Sequence, residues 1–244
     1  MDNVIDKLSS NDLVKRYKKR TVVNNVSINV SRGEVVGLLG PNGAGKTTTF
    51  NITMGFIMPD YGSIYLNGTE ITWLPVYQRA RLGMGYLFQE PAIFNKLSVI
   101  ENLLIIQENF IKEPDKQIEA AKKLLMDMGI EHLADNNAGS LSGGEKRRLE
   151  IARNLINSPG FLLLDEPFSG IDPKTVSEIK SMILQLKKNG VGILITDHNV
   201  RDALSITDRA YLIYDGSILI EGTPQQISSD SKSRQVYFGE EFSL

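Results

Sequence analysis

The run Gly40-Pro41-Asn42-Gly43-Ala44-Gly45-Lys46-Thr47-Thr48 carries the strongest chemical signal in the chain. Its spacing fills the pattern GxxxxGK[ST], a loop that wraps phosphate. Glycines let the backbone curl so that successive N–H groups converge on phosphate oxygens. A helix beginning near Lys46 would add its positive end. The Lys46 ammonium could then reach β- and γ-phosphate oxygens, while the Thr47 hydroxyl could hold Mg²⁺. A glycine-rich turn with a chance lysine is the alternative. It does not explain why the loop falls between a buried strand and a helix, the context the motif demands.

Triphosphate chemistry also needs a second carboxylate for the cation and a group to orient water. The stretch "FLLLDEP" offers both. Its apolar residues predict a buried parallel strand with acids at the carboxyl end, where open α/β sheets bind ligands. Asp165 is the expected Mg²⁺ partner and Glu166, directed elsewhere by strand geometry, the expected general base. Asp-Glu-Pro after a strand is often only a turn, and the phosphate loop tips the reading toward catalysis. His198 follows "VGILITD", a second buried strand, so it is expected on the same rim near the γ-phosphate. Asp197 is left between a ligand role and simply holding the turn. His132, in "GIEHLAD", reads as structural or solvated.

A second device stands far downstream. Ser142-Gly143-Gly144 opens the basic helix "EKRRLEIARNLI" and could present a hydroxyl and close N–H groups to phosphate. A helix N-cap explains Ser142 but not the glycine pair. Lys146, Arg147 and Arg148 are expected to be solvated or ion-paired rather than phosphate ligands.

The elements that must position these residues follow from periodicity. "VVNNVSINV" alternates as a half-buried strand does, whereas "EVVGLLG" is uniformly apolar, as a strand buried on both faces is. "GSIYLNG" and "GMGYLFQ" read as short strands, and "KTTTFNITMG" as the helix after the phosphate loop. From Ser98 to about Asn157 the pattern is helical, with Ile118, Ala121, Leu125 and Met128 on one core-facing stripe. Strands return at Phe161–Asp165, Val191–Asp197, Arg209–Asp215 and Ser217–Gly222, with a helix over Pro173–Asn189 between the first two. The expected fold is α/β: strands, a helical insertion, then alternating strands and helices. No internal repeat or low-complexity segment interrupts it.

Composition bounds the class. The 244 residues carry a net charge of -2, which gives no bulk attraction to nucleic acid or acidic lipid. No apolar run approaches the roughly 20 residues of a membrane span. The start, "MDNVIDKLSS", lacks the basic and apolar regions of a signal peptide. There are no cysteines, hence no disulfides or thiolate metal sites. The expectation is a soluble, intracellular protein.

Taken together, these motifs resemble the ATP-binding subunits of ABC transporters over essentially the whole chain. The resemblance implies a single cassette: a P-loop NTPase core with an N-terminal antiparallel β subdomain, about 1–90 and 158–244, and an inserted helical subdomain, about 91–157. It further implies that Gln89 in "YLFQEP" links core to helical lobe and contacts ATP and Mg²⁺, and that Tyr17 in "LVKRYKKR" stacks on adenine. For Tyr17 the alternative is a strand-end tyrosine beside a solvated basic turn. In such proteins two copies pack head to tail. Ser142, Gly143, Gly144 and Asp172 would then face ATP held by the other copy, and the pair would dock on two integral membrane permease subunits at the cytoplasmic face of the inner membrane. Phe94 and Leu97, in "PAIFNKLSVIEN", are the implied docking contacts, although each could equally be core.

Within the family the chain is most similar to the ATPases of lipopolysaccharide exporters, on "FQEPAIFNKLSVIENL", "LSGGEKRRLEIARNL", "ILITDHNVRDAL" and the tail "VYFGEEFSL". The ATPases of branched-chain amino-acid importers share much of the core. They often have glutamine in the serine motif and an insertion after the glutamine loop. Gly144-Glu145 and the lack of an obvious insertion favour the exporter. A soluble, non-transport ABC protein would be expected to show a second glycine loop or long heptads, and neither is present.

Overall fold

The computed structural model describes residues 6–90, 92–239 and Phe242. Of the tail Gly239–Leu244, only Gly239 and Phe242 are therefore among the described residues. An antiparallel sheet is built from β1 (Lys7–Tyr17), β2 (Arg20–Ser31), β4 (Tyr61–Leu66) and the two-residue β5 (Thr69–Glu70), in the order β2-β1-β4-β5. A second sheet runs β10-β9-β3-β8-β7-β6. Its members are β3 (Val35–Leu39), β6 (Met84–Leu87), β7 (Phe161–Asp165), β8 (Gly192–Thr196), β9 (Arg209–Tyr214) and β10 (Ser217–Gly222). All its pairs are parallel except the β9–β10 hairpin.

The uniformly apolar strands behave as their composition requires. Every residue of β3, β6, β7 and β8 is buried. Successive side chains serve opposite faces. Leu162, Leu164, Ile193 and Ile195 join the core beneath the helices. Phe161, Leu163 and Leu194 join the core shared with the antiparallel sheet and helix α1 (Lys46–Met54). Strand β2 alternates, with Val26, Ile28 and Val30 buried and Ser27 exposed.

Between β6 and β7 lie α3 (Val99–Gln107), α4 (Pro114–Asp127) and α5 (Gly143–Leu155). Their buried residues form one continuous core with the sheet face below. Ala121, Leu125 and Met128 join it, but Ile118 is 41% exposed, so the stripe begins one turn later than its spacing predicts. Helix α6 (Pro173–Lys188) then leads to β8, and α7 (Val200–Leu204) to β9.

A buried arginine ties down the far end of α1. Arg79, in α2 (Val76–Arg81), has no exposed surface. Its guanidinium donates to the carbonyls of Ile52 (2.9 Å), Thr53 (2.7 Å), Thr72 (2.6 Å) and Leu74 (2.8 Å). None of these partners is a carboxylate, and burial pushes the pKa down to about 10. The site stabilises by satisfying carbonyls at a helix C-terminus, the end that favours a cation. Replacing Arg79 with Met should lower unfolding stability by roughly 3 kcal/mol or more, because each stranded buried carbonyl costs about 1–3 kcal/mol. Urea unfolding midpoints measure this, and an unshifted midpoint would refute the clamp.

Candidate functional site

The carboxyl ends of β3, β7 and β8 deliver their loops to one rim, as parallel strands must. There a cleft of ≈ 330 Å³ is lined by Val22, Asn42, Gly43, Gly45, Lys46, Thr47, Thr48, Gln89, Glu166 and His198. Residues separated widely in sequence thus meet in one place. Val22 was not singled out by sequence reasoning, since it reads only as a strand residue. Arg20, beside it, donates to Gly43 O at 3.5 Å.

The phosphate loop leaves α1 without a side-chain cap, because Gly45 occupies the N-cap at φ 108°. The first N–H groups of α1 are therefore available to a phosphate. Lys46 is buried, and its ammonium donates to the carbonyls of Gly40 (2.7 Å) and Pro41 (3.0 Å). Burial lowers its pKa, against the opposing pull of Glu166 and Asp165. Thr47 is exposed at the cleft.

Asp165 and Glu166 are both buried, at 2% and 4% exposure. Oδ2 of Asp165 accepts from the Tyr86 hydroxyl at 3.0 Å, while its buried Oδ1 has no hydrogen-bond partner. An orphaned carboxylate oxygen beside a phosphate loop fits a hard divalent cation. Among the described residues no three acidic or histidine side chains converge as a cation cage. A cation here would complete its shell with phosphate oxygens and water, the habit of Mg²⁺.

Glu166 adopts φ +52°, the left-handed region that costs a non-glycine residue of order 1–3 kcal/mol. Its N–H donates to Thr196 O at 2.8 Å, which holds that turn. The side chain bridges two partners: Oε2 accepts from Gln89 Nε2 at 2.8 Å, and Oε1 lies 2.6 Å from His198 Nε2. Burial raises the Glu166 pKa, and His198 opposes the rise. The alternatives for Asp197 also separate. It accepts from the backbone N–H of Phe168 (2.9 Å) and Asn199 (2.8 Å), so it holds the turn and joins the loops after β7 and β8.

The serine motif lies outside this cleft. Ser142 caps α5 in a reciprocal box with Glu145, whose carboxylate accepts from Ser142 N and Oγ, each at 2.8 Å. The glycine pair, which capping alone left unexplained, has a packing reason at its second member. A Cβ on Gly144 would sit 2.5 Å from Thr175 Cγ2 of α6. Asp172 caps α6, accepting from Lys174 N (3.0 Å), Thr175 N (3.1 Å) and Thr175 Oγ1 (2.5 Å).

Of the two alternatives expected for the basic run, solvated or ion-paired, Arg147 takes the second. It is buried, paired with Glu150 at 3.2 Å. It donates to the carbonyls of Phe88 (2.7 Å), Glu166 (2.7 Å) and Pro167 (3.2 Å). Its neighbour Arg148 pairs with Glu178. One side chain of the serine-motif helix thus holds both the segment entering Gln89 and the segment carrying Glu166. Nothing in the string "EKRR" distinguishes it from a surface arginine.

Tyr17 stands at the end of β1, 46% exposed and outside the cleft lining, with Lys15 Nζ 5.7 Å from its ring centroid. A separate groove of ≈ 180 Å³ runs between β6 and the helices, lined in part by Tyr86, Phe88, Ala92, Ile106 and Arg153. Phe94 is exposed and meets this groove through Arg153, whose guanidinium lies 4.8 Å from its ring centroid. Leu97 is half-buried and outside the groove lining.

The raised pKa of Asp165, caused chiefly by burial, has a stability consequence. The native state holds the proton more tightly than the unfolded chain. The ionised carboxylate therefore subtracts stability once pH rises above the native pKa, and the penalty is absent below the unfolded one. Asp165→Asn should therefore stabilise the nucleotide-free chain at neutral pH by on the order of 1 kcal/mol, about 2–4 °C in Tm. The gain should shrink as pH is lowered. Thermal unfolding across pH tests this, and a loss of stability at neutral pH would refute it.

Comparison with known proteins agrees with this arrangement. Residues 23–169 match the family described as "ABC transporter". The lipopolysaccharide export system ATP-binding protein LptB of Acidithiobacillus ferridurans is 50% identical over 97% of this chain and 98% of its own length. That of Escherichia coli (strain K12) is 48% identical over 97% and 99%. Among solved structures, the ADP conformation of an ABC transporter ATP-binding cassette matches with a TM-score of 0.86 at 32% identity, covering 96% of this chain and 98% of that one. A dimeric post-hydrolysis cassette bound to ADP and Pi matches at 0.80 and 25% identity, covering 89% and 98%. With its phosphate loop, buried acids and serine motif on this scaffold, the chain belongs to the ABC transporter ATP-binding family.

Proposed function

We propose that this chain is the ATP-hydrolysing subunit of a lipopolysaccharide export system. The observation that carries the reading is its near full-length identity to LptB proteins, 50% and 48% for the two relatives above. Two copies work together at the cytoplasmic face of the inner membrane, docked on separate membrane-spanning subunits. Among the described residues no helix is long and apolar enough to cross a membrane, so any span must be supplied elsewhere. The groove lined by Phe88, Ala92 and Ile106, with Phe94 beside it, is the proposed seat for a membrane subunit, and Leu97 is proposed as a further contact.

ATP occupies the cleft with its phosphates on Gly40–Thr48 and its adenine against Tyr17. Bound with it, Mg²⁺ neutralises phosphate charge, and Thr47, Gln89 and Asp165 are the residues proposed to hold it. Glu166 is the general base. Its left-handed backbone turns the carboxylate off the strand axis, and its raised pKa makes it a better proton acceptor. His198 lies against Glu166 and lines the cleft, which supports a contact to the γ-phosphate. Gln89 sits on the same carboxylate, so movement of the glutamine loop would change what Glu166 can bind.

Ser142, Gly143, Gly144 and Asp172 complete the partner copy's ATP site. The serine motif's absence from its own chain's cleft lining supports this division. The dimer closes on two ATP molecules, and loss of the γ-phosphate opens it.

Three outcomes follow. Glu166→Gln should retain ATP binding and lower turnover at least about a hundredfold, within the 10²–10⁴ range of positioned acid–base catalysis. Size-exclusion chromatography with ATP should show an accumulated dimer, and near-normal turnover would remove Glu166 as base. Ser142→Ala should cost helix α5 about 1 kcal/mol and weaken ATP-driven dimerisation more than ATP binding by the single chain. Affinity purification from native membranes tests the transport assignment. Membrane partners bearing large periplasmic β-rich domains support lipopolysaccharide export, whereas importer permeases with a periplasmic binding protein would overturn it.

A further inference from the structure

Strand β6 stops pairing with β7 at Leu87 and Leu164, one residue short of Asp165, but one of its side chains reaches the rest of the way. Tyr86 pairs with Leu163, and Asp165 lies two residues further along β7, on the same face of the sheet. The Tyr86 hydroxyl donates to Asp165 Oδ2 at 3.0 Å. Among the described residues it is the only hydrogen-bond donor to that carboxylate, since Oδ1 has no partner. Across β7–β8 Asp165 pairs with Thr196, whose buried hydroxyl is unpartnered too, so the neighbouring strand supplies no donor.

The ring that carries this hydroxyl is fixed on several sides. Phe50 of α1, Phe56 and Phe88 each meet it edge-on, with ring centroids 6.4, 5.5 and 4.7 Å away. The Tyr86 backbone N–H donates to Asn154 Oδ1 of α5 at 2.9 Å. These contacts would hold a phenylalanine equally well, so they explain the ring and not the hydroxyl. A buried hydroxyl costs free energy unless it is paired, and here its partner is the acid proposed to bind Mg²⁺.

We infer that Tyr86 is a positioning residue for the cation: by holding Oδ2 it fixes the rotation of the Asp165 carboxylate and leaves Oδ1 as the oxygen free to bind metal. The inference rests on the ATPase reading above. Groups that orient a metal-binding side chain govern affinity much as the ligands themselves do. With neither oxygen held, the carboxylate could turn about its Cβ–Cγ bond, and metal binding would have to freeze that rotation. If the hydroxyl served folding alone, its loss would lower stability and leave metal affinity unchanged.

The test uses the full chain, Tyr86→Phe and Mn²⁺ as the metal probe. The EPR signal of free Mn²⁺ reads its binding with the non-hydrolysable analogue AMP-PNP, the chain being in excess so that little free nucleotide chelates the metal. The Mn²⁺ dissociation constant should rise about tenfold in the variant, the lower end of the loss when such orienting partners are removed. Binding of AMP-PNP in EDTA should stay within about twofold, because the phosphate loop is untouched. An unchanged Mn²⁺ affinity overturns the proposal even if Tm falls, and so does an equal loss of metal-free nucleotide binding. A second measurement keeps the hydroxyl. With 3-fluorotyrosine at position 86, the ¹⁹F line should shift when Mg²⁺ is added to the AMP-PNP complex, because hydroxyl and metal share one carboxylate. A line that does not move overturns the inference whether or not Tyr86→Phe folds. Wild-type turnover is read first. If the wild type hydrolyses no ATP, the ATPase reading itself fails, whereas normal wild-type turnover with an unaffected variant removes only the role of Tyr86.

Discussion

Two carboxylates are buried next to one another at the end of β7, and much of the rim is arranged around the cost of burying them. One oxygen of Asp165 is unpaired, and Glu166 carries a strained backbone. Such sites destabilise the free protein, and they persist where the surroundings over-determine them. Here the over-determination is visible. Tyr86 holds Asp165, Thr196 O fixes the turn, and Gln89 and His198 hold Glu166 from two sides. The strands beneath, β3, β7 and β8, are buried along their whole length and give the two acids a packed base.

The serine-motif helix takes part in the same arrangement. Arg147 binds the backbone on either side of the cleft's acidic wall, and Glu150 accepts from Ala92 N at 2.7 Å. Asn154 accepts from Tyr86 N at 2.9 Å. Helix α5 is therefore bonded along its length to the segment that bears Gln89. A displacement of the serine motif would reach Glu166 through hydrogen-bonded backbone rather than through side-chain packing alone. Gly144 against Thr175 extends the unit to α6, so the Ser142 and Asp172 caps stand on one packed pair of helices.

Much of this was legible in the residues. The buried strands declared themselves by unbroken apolar runs, and the phosphate loop by glycine spacing. Asp165, Glu166 and His198 were found because each follows such a run, at the end where parallel strands deliver ligands. What escaped was whatever depends on tertiary partners. Arg147 and Arg148 are adjacent and identical in type, yet only the first is buried among carbonyls. Arg79 sits in "YQRAR", which reads as an ordinary surface turn of helix. Ile118 obeys the helical period but lies beyond the reach of the core. The pairing of Gln89 with Glu166 joins residues far apart in the chain, and no local pattern encodes it.

The ammonium of Lys46 carries three hydrogens, and the carbonyls of Gly40 and Pro41 take two of them. The third is then aimed by elimination. The lysine thus acts as a single fixed pointer rather than a swivelling charge. The direction of that third N–H is therefore set by the tetrahedral geometry of the ammonium as much as by its charge.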